Sequence, residues 1–113
     1  MKIYHNNRCS KSRNTLKIIE EAGVDIEIVN YLLSPPSKEE LKHILDLLDL
    51  PADQLIRKGE AIFKENFKGK QFSNDEWIDI MIENPKLIER PIVVHNGKAV
   101  IGRPPENVNL LLN

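Results

Sequence analysis

Lys2-Ile3-Tyr4-His5-Asn6-Asn7-Arg8-Cys9-Ser10-Lys11-Ser12-Arg13-Asn14-Thr15-Leu16 joins a short β-prone run to the start of a helix. Asn6-Asn7 is turn-prone, so a strand is predicted to stop just before Arg8 and Cys9. Leu16, Ile19 and Ala22 then recur at helical spacing and Gly23 can close the helix, which predicts a helix over Ser10–Ala22 with Cys9 at its N-terminus. Beyond it Val24, Ile26 and Ile28 alternate with Asp25 and Glu27, the period of a half-buried strand continuing to about Leu32. A strand, a helix and a strand in that order imply a parallel pair with a right-handed crossover, the usual beginning of a small α/β sheet.

Downstream, Pro35-Pro36 breaks the chain. Ser37 with Glu40 reads as a capping box before Leu41, Ile44, Leu45 and Leu48. Pro51 suits a helical first turn leading to Arg57, and the polar run Gly59–Lys70 is expected to be irregular. Ser73 with Glu76 makes a second capping box, and Asn84-Pro85 ends the helix it starts. Ile92–His95 and Lys98–Ile101 flank Asn96-Gly97, the signature of a two-residue type I′ hairpin. Pro104 is expected in the first turn of a last helix carrying Val108, Leu111 and Leu112. The order β-α-β, helices, β-β-α is that of an α/β, thioredoxin-like domain with a mixed sheet. One domain is expected over residues 1–113, with a helical insert at about 37–84.

With 113 residues and 41% hydrophobic content, the chain has the make-up of a single globular domain. No stretch nears the roughly 20 apolar residues that span a bilayer, and no apolar run follows Lys2. One cysteine excludes an internal disulfide and fits a reducing compartment, so a cytoplasmic location is expected. Sixteen basic residues against seventeen acidic ones give a net charge of -1 and no global reason to bind nucleic acid. A monomer is expected, with neither nucleic acid nor membrane as partner. Locally the balance differs: Lys2, Arg8, Lys11, Arg13 and Lys17 all precede the first acidic residue, Glu20, a field that favours anions and thiolate around Cys9.

A cysteine at a helix N-terminus meets the free amides and partial positive charge of the first turn, which stabilise thiolate. The same amides, with the Ser10 and Ser12 hydroxyls, can hold a tetrahedral oxyanion against the sulfur, and Ser12 can hydrogen-bond the thiolate. The bland reading makes a lone cysteine a small buried hydrophobe. Its polar neighbours on both sides argue for a reactive thiol instead. Arg57, Arg90 and Arg103 lie at element ends, where planar guanidinium forks match oxyanions bidentately, although an isolated arginine is usually a solvated surface residue. Arg90-Pro91 can hold either a cis peptide or the ordinary trans bond. His5 and His95 are candidate acid–base groups whose bland reading is structural. No metal site and no bound cofactor are expected.

Ile3-Tyr4-His5-Asn6, Cys9, Ser12-Arg13-Asn14-Thr15-Leu16, Tyr31-Leu32, Pro36-Ser37, Leu55-Ile56-Arg57-Lys58, Asn84-Pro85, Arg90-Pro91-Ile92-Val93-Val94 and Gly102-Arg103-Pro104 together resemble the ArsC family, the glutaredoxin-coupled arsenate reductases. Asn7 stands where the best-known members commonly carry proline, and the chain is shorter, so the resemblance is to a short ArsC-like branch. It implies a thioredoxin-like fold, a nucleophilic Cys9 assisted by His5, oxyanion binding by Arg57, Arg90 and Arg103, and a cis Pro91. It further implies arsenate as substrate, glutathione as co-substrate and glutaredoxin as partner. Two alternatives stay open: a glutathione-linked oxidoreductase on another substrate, and an Spx-like regulator that binds RNA polymerase. The latter typically carry Cys-x-x-Cys, where this chain has Ser12.

Overall fold

The computed structural model describes residues 1–112, which form two compact units. The first unit comprises Met1–Ser34 with Arg90–Asn113, the second Pro35–Glu89. In the first unit β1 (Lys2–His5), α1 (Ser10–Glu21) and β2 (Glu27–Asn30) are followed, after the second unit, by β3 (Ile92–His95) and β4 (Lys98–Ile101). A 3₁₀ turn (Pro105–Val108) and a short α5 (Asn109–Leu112) complete it. The sheet order is β2-β1-β3-β4, with β1 parallel to β2 and antiparallel to β3, and β3 antiparallel to β4. This mixed sheet with its βαβ and ββα halves is a thioredoxin-like fold.

The core of this unit joins Ile3 of β1, Ile19 of α1, Val93 of β3, Val108 and Leu111, all buried. Each such side chain contributes about 1.5–3 kcal/mol on leaving water. The buried face of α1 is Ser12, Thr15 and Ile19, with Leu16 partly covered, while Ala22, assigned to that face by spacing, is exposed. Gly23, at φ 75°, follows the helix and its N–H bonds Glu20 O. The hairpin turns at Asn96 (φ 49°) and Gly97 (φ 73°), both left-handed as a type I′ turn requires, and pairs His95 with Lys98.

Two expectations change here. β2 is shorter than its alternation suggested: pairing starts at Lys2 with Glu27, the half-buried residues before it lie in the connection from α1, and Ile28 is exposed. Pro104 does not enter the last helix. It precedes Pro105, which holds it extended at ψ 161°, so Pro105 takes the first position of the 3₁₀ turn. Arg90–Pro91 and Arg103–Pro104 are both cis.

In the second unit α2 (Lys38–Leu48) starts at Ser37, whose Oγ accepts from Glu40 N at 3.1 Å. A 3₁₀ turn (Ala52–Leu55) follows Pro51, and α4 (Asn74–Glu83) begins with the full Ser73/Glu76 capping box. Between them α3 (Ala61–Asn66) occupies part of the run expected to be irregular. Its sequence is polar, but Phe63 and Phe67 find Trp77 of α4, and that contact outweighs the weak local pattern.

Where β4 ends, Gly102 closes on α1. A Cβ there would collide with Thr15 Oγ1 and lie 2.8 Å from Pro91 Cγ, while Gly102 N donates to Pro91 O at 2.9 Å. Thr15 is fully buried and has little room to yield. Gly102→Ala is expected to lower stability by about 1–3 kcal/mol, the range for overpacking. Gly59→Ala, with nothing within 4 Å, serves as a near-neutral control. Equal melting temperatures for the two variants would contradict this packing.

Candidate active site

The β1–α1 connection is held by its own polar groups. Asn6 O accepts from Cys9 N at 3.0 Å, and Asn6 Oδ1 accepts from Arg8 N at 3.0 Å, a side-chain turn of the kind asparagine makes readily. Asn6 N in turn donates to Ser12 Oγ at 3.1 Å. Ser12 Oγ also lies 2.6 Å from His5 Nδ1, and Ser12 is fully buried. The turn thus sets Cys9 at the N-cap position of α1, with extended backbone (φ -97°, ψ 121°) and its carbonyl accepting from Arg13 N at 3.0 Å.

In that position the sulfur stands where a serine or aspartate oxygen commonly caps a helix. It makes no formal capping hydrogen bond. Burial pushes the Cys9 thiol up. The backbone N–H of Ser12, the hydrogen bond and charge of the Arg90 guanidinium, and the Lys11 N–H together outweigh this and hold it below the usual thiol range. Arg103 Nη1 lies 3.9 Å from Sγ and donates to Arg90 O at 3.4 Å. One buried sulfur is therefore faced by first-turn amides and two guanidinium groups.

Ser12 meets Cys9 through its backbone, not its hydroxyl. The expected hydroxyl–thiolate contact is replaced by hydrogen bonds to His5 and Asn6, because the side chain points into the core beneath the turn. His5 is itself buried. Burial, then the Arg13 charge, lower its pKa against an opposing pull from Glu20, so the imidazole is neutral at neutral pH. It acts on the turn through Ser12. Ser10 is exposed at the first position of α1, and Pro91 is buried beside Arg90.

Arg57 belongs to the second unit. Its Nε donates to Glu60 Oε1 at 3.3 Å and its Nη1 to Glu89 Oε1 at 2.8 Å, while Arg57 N bonds Leu87 O at 2.7 Å. The bridge between Ile56 and Ile88 holds the two segments side by side. His95 is at the hairpin, where Nε2 lies 3.2 Å from Asn96 Nδ2. Among the described residues, no group of three or more His, Cys, Asp or Glu could hold a metal, and no helix is long and apolar enough to cross a membrane.

Sequence reading passed over Asn6, Thr15, Gly102 and Glu89 as site residues. Asn6 carried a signal, since an Asn pair before a cysteine is turn-prone. The others depend on partners far along the chain, such as Thr15 Oγ1 with Gly102 O at 3.4 Å.

Comparison with known proteins gives a consistent set of relatives. The model of the ArsC family matches residues 4–111. An uncharacterized protein of Escherichia coli K12, YfgD, is 50% identical over 110 residues, covering 96% of this chain and 92% of that protein. An arsenate reductase of Neisseria meningitidis serogroup A is 42% identical over 114 residues, covering 99% and 97%. Among solved structures, an arsenate reductase from Vibrio cholerae superposes with a TM-score of 0.92 at 46% identity, covering 98% of each chain.

The geometry predicts an acidic thiol. Iodoacetamide labelling of Cys9 is expected to titrate with a midpoint below the ~8.5 of an ordinary thiol. Because Arg90 favours the anion by both hydrogen bond and charge, Arg90→Ala is expected to move that midpoint up. An unchanged midpoint in the variant would remove Arg90 from this role.

Proposed function

Since the chain belongs to the ArsC family, we propose that it is a thiol-dependent arsenate reductase in which Cys9 is the nucleophile and glutathione the second thiol. The observation that carries this reading is the sulfur itself: a buried cysteine with first-turn amides and the Arg90 and Arg103 guanidinium groups on it. Those donors suit a thiolate before reaction and a tetrahedral oxyanion beside it during reaction.

Cys9 thiolate attacks the arsenic of arsenate, forming an S–As bond as one oxygen leaves as water after protonation. The thiol of glutathione then supplies the second sulfur. Arsenic takes up two electrons and departs as arsenite, and the two sulfurs, each oxidised by one electron, are left as a Cys9–glutathione disulfide. With one cysteine in the chain, that disulfide has no internal thiol to open it. An external thiol of the glutaredoxin class resets the enzyme, in keeping with the reducing cytoplasm. The nearby Ser12 hydroxyl, engaged by His5 and Asn6, keeps the turn in place.

Arg90 and Arg103 bind the oxyanion and stabilise the charge that grows on it. By the family's motif Arg57 is the third such group. Glu60 and Glu89 take its Nε and one Nη1 hydrogen, which orients the fork and leaves its remaining N–H groups for an oxyanion.

The decisive assay is arsenite release by the pure protein with glutathione and glutaredoxin. Turnover is expected for wild type and none for Cys9→Ser; release at equal rates would end the proposal. Alanine at Arg57, Arg90 or Arg103 is expected to reduce kcat/KM about 10- to 100-fold, corresponding to the ~1.5–3 kcal/mol of a charged hydrogen bond. Oxidised glutathione is expected to add a single glutathione to each chain at Cys9, removable by glutaredoxin. Mass spectrometry reads this directly, and repeated turnover with no external thiol would contradict the cycle.

A further inference from the structure

The second unit gathers the chain's one tryptophan and all three of its phenylalanines. Phe72 meets Trp77 edge-on at 4.8 Å between centroids, Phe63 stacks on Trp77 at 6.2 Å, and Phe67 approaches it at 6.4 Å. As a miniature core this cluster is ordinary. Its surroundings are not those of a core. Phe63, Phe72 and Trp77 line an open cavity of about 730 Å³, within the ~300–1,000 Å³ of small-molecule sites.

Lys58, Lys64, Lys68 and Lys70 ring this cavity, against one lining carboxylate, Asp53. Among the described residues, none of these four lysines is in an ion pair. Elsewhere in the same unit Lys38 and Lys42 do find carboxylates, Asp79 at 3.2 Å and Asp75 at 3.3 Å. Four ammonium groups thus stand around the aromatic floor against a single lining carboxylate. One wall is fixed, because Asn74 Oδ1 accepts from Ala52 N at 2.8 Å and ties the start of α4 to the 3₁₀ turn that carries Asp53.

We propose that this cavity binds a nucleoside triphosphate, its base against the Phe72–Trp77 surface and its phosphates among the lysines. The two halves of the lining ask for one molecule with two unlike parts. A planar ring matches the partly exposed Phe72 ring, backed by the buried Trp77 and Phe63, and aromatic faces stack bases without regard to sequence. Several negative charges on a short flexible chain match ammonium groups spread round a rim. An acidic peptide would satisfy the lysines and leave the rings unused. The site lies within the second unit and does not depend on the thiol chemistry of Cys9.

Trp77 is the only tryptophan, so its fluorescence reports on the cavity floor of the intact protein. Titration with ATP, excited where the nucleotide does not absorb, is expected to give a saturable change with half-saturation below about 1 mM. Added salt is expected to weaken it. Inorganic tripolyphosphate and adenosine, each carrying one half of the ligand, are expected to bind at least about tenfold more weakly. Lys64→Glu with Lys68→Glu is expected to lose at least that factor, and Lys70→Glu alone a smaller one, with unchanged circular dichroism and melting. Equilibrium dialysis with labelled ATP provides a reading that does not rely on Trp77. Absence of saturation, equal binding of tripolyphosphate or of adenosine, tighter binding of a polyglutamate peptide, or affinity that survives charge reversal would each overturn the assignment.

Discussion

The fully buried Ser12 hydroxyl is the point on which the site turns. It sits 2.6 Å from His5 Nδ1 at the end of β1 and accepts from Asn6 N, so the last strand residue and the first turn residue are bound to one atom of α1. The hydroxyl thus pairs with the His5 imidazole on one side and accepts from the Asn6 amide on the other. These bonds join the turn to α1, where Cys9 takes the N-cap position. An unpaired hydroxyl at this depth would cost about 1–3 kcal/mol, which is why the arrangement is stable only when every partner is present.

From that constraint the electrostatics of the thiol follow. Burial pushes the Cys9 thiol up, yet the amides of the first turn and the Arg90 guanidinium outweigh it and hold the thiol below its usual range. Arg90 and Arg103 reach the sulfur from residues remote in sequence. They do so because the hairpin of β3 and β4 returns the chain to α1, and because Gly102 has no side chain to hold the two apart. Arg103 then bridges from Sγ to the Arg90 carbonyl, so the second guanidinium is braced by the backbone that carries the first.

The second unit follows a different logic. Its helices are delimited by side-chain caps at Ser37 and Ser73, and α3 owes its place to aromatic contacts instead of local pattern. Arg57 is tied into this unit by two carboxylates, Glu60 and Glu89, which set the orientation of its guanidinium group.

What the sequence by itself determined were the features that rest on neighbours a few residues apart. The helix after Cys9, the serine caps, the Asn96-Gly97 turn and the sequence of elements along the chain arise from local backbone preferences and from the period of apolar residues, whereas the pairing of β1 with β3 does not. The position of Cys9 at the start of α1 was legible for the same reason, since the turn-prone Asn6-Asn7 and the helical spacing lie within a few residues of it. Tertiary structure alone decided which Ser12 group meets the sulfur, that Ile28 faces solvent, that Pro104 is held out of the last helix, and that Arg57 carries two carboxylate partners. The physical reason is range. A hydrogen bond from Arg103 to Cys9, or a collision avoided between Gly102 and Thr15, joins residues that no local pattern relates. Burial of a hydroxyl such as that of Ser12 is set by the core that closes over it.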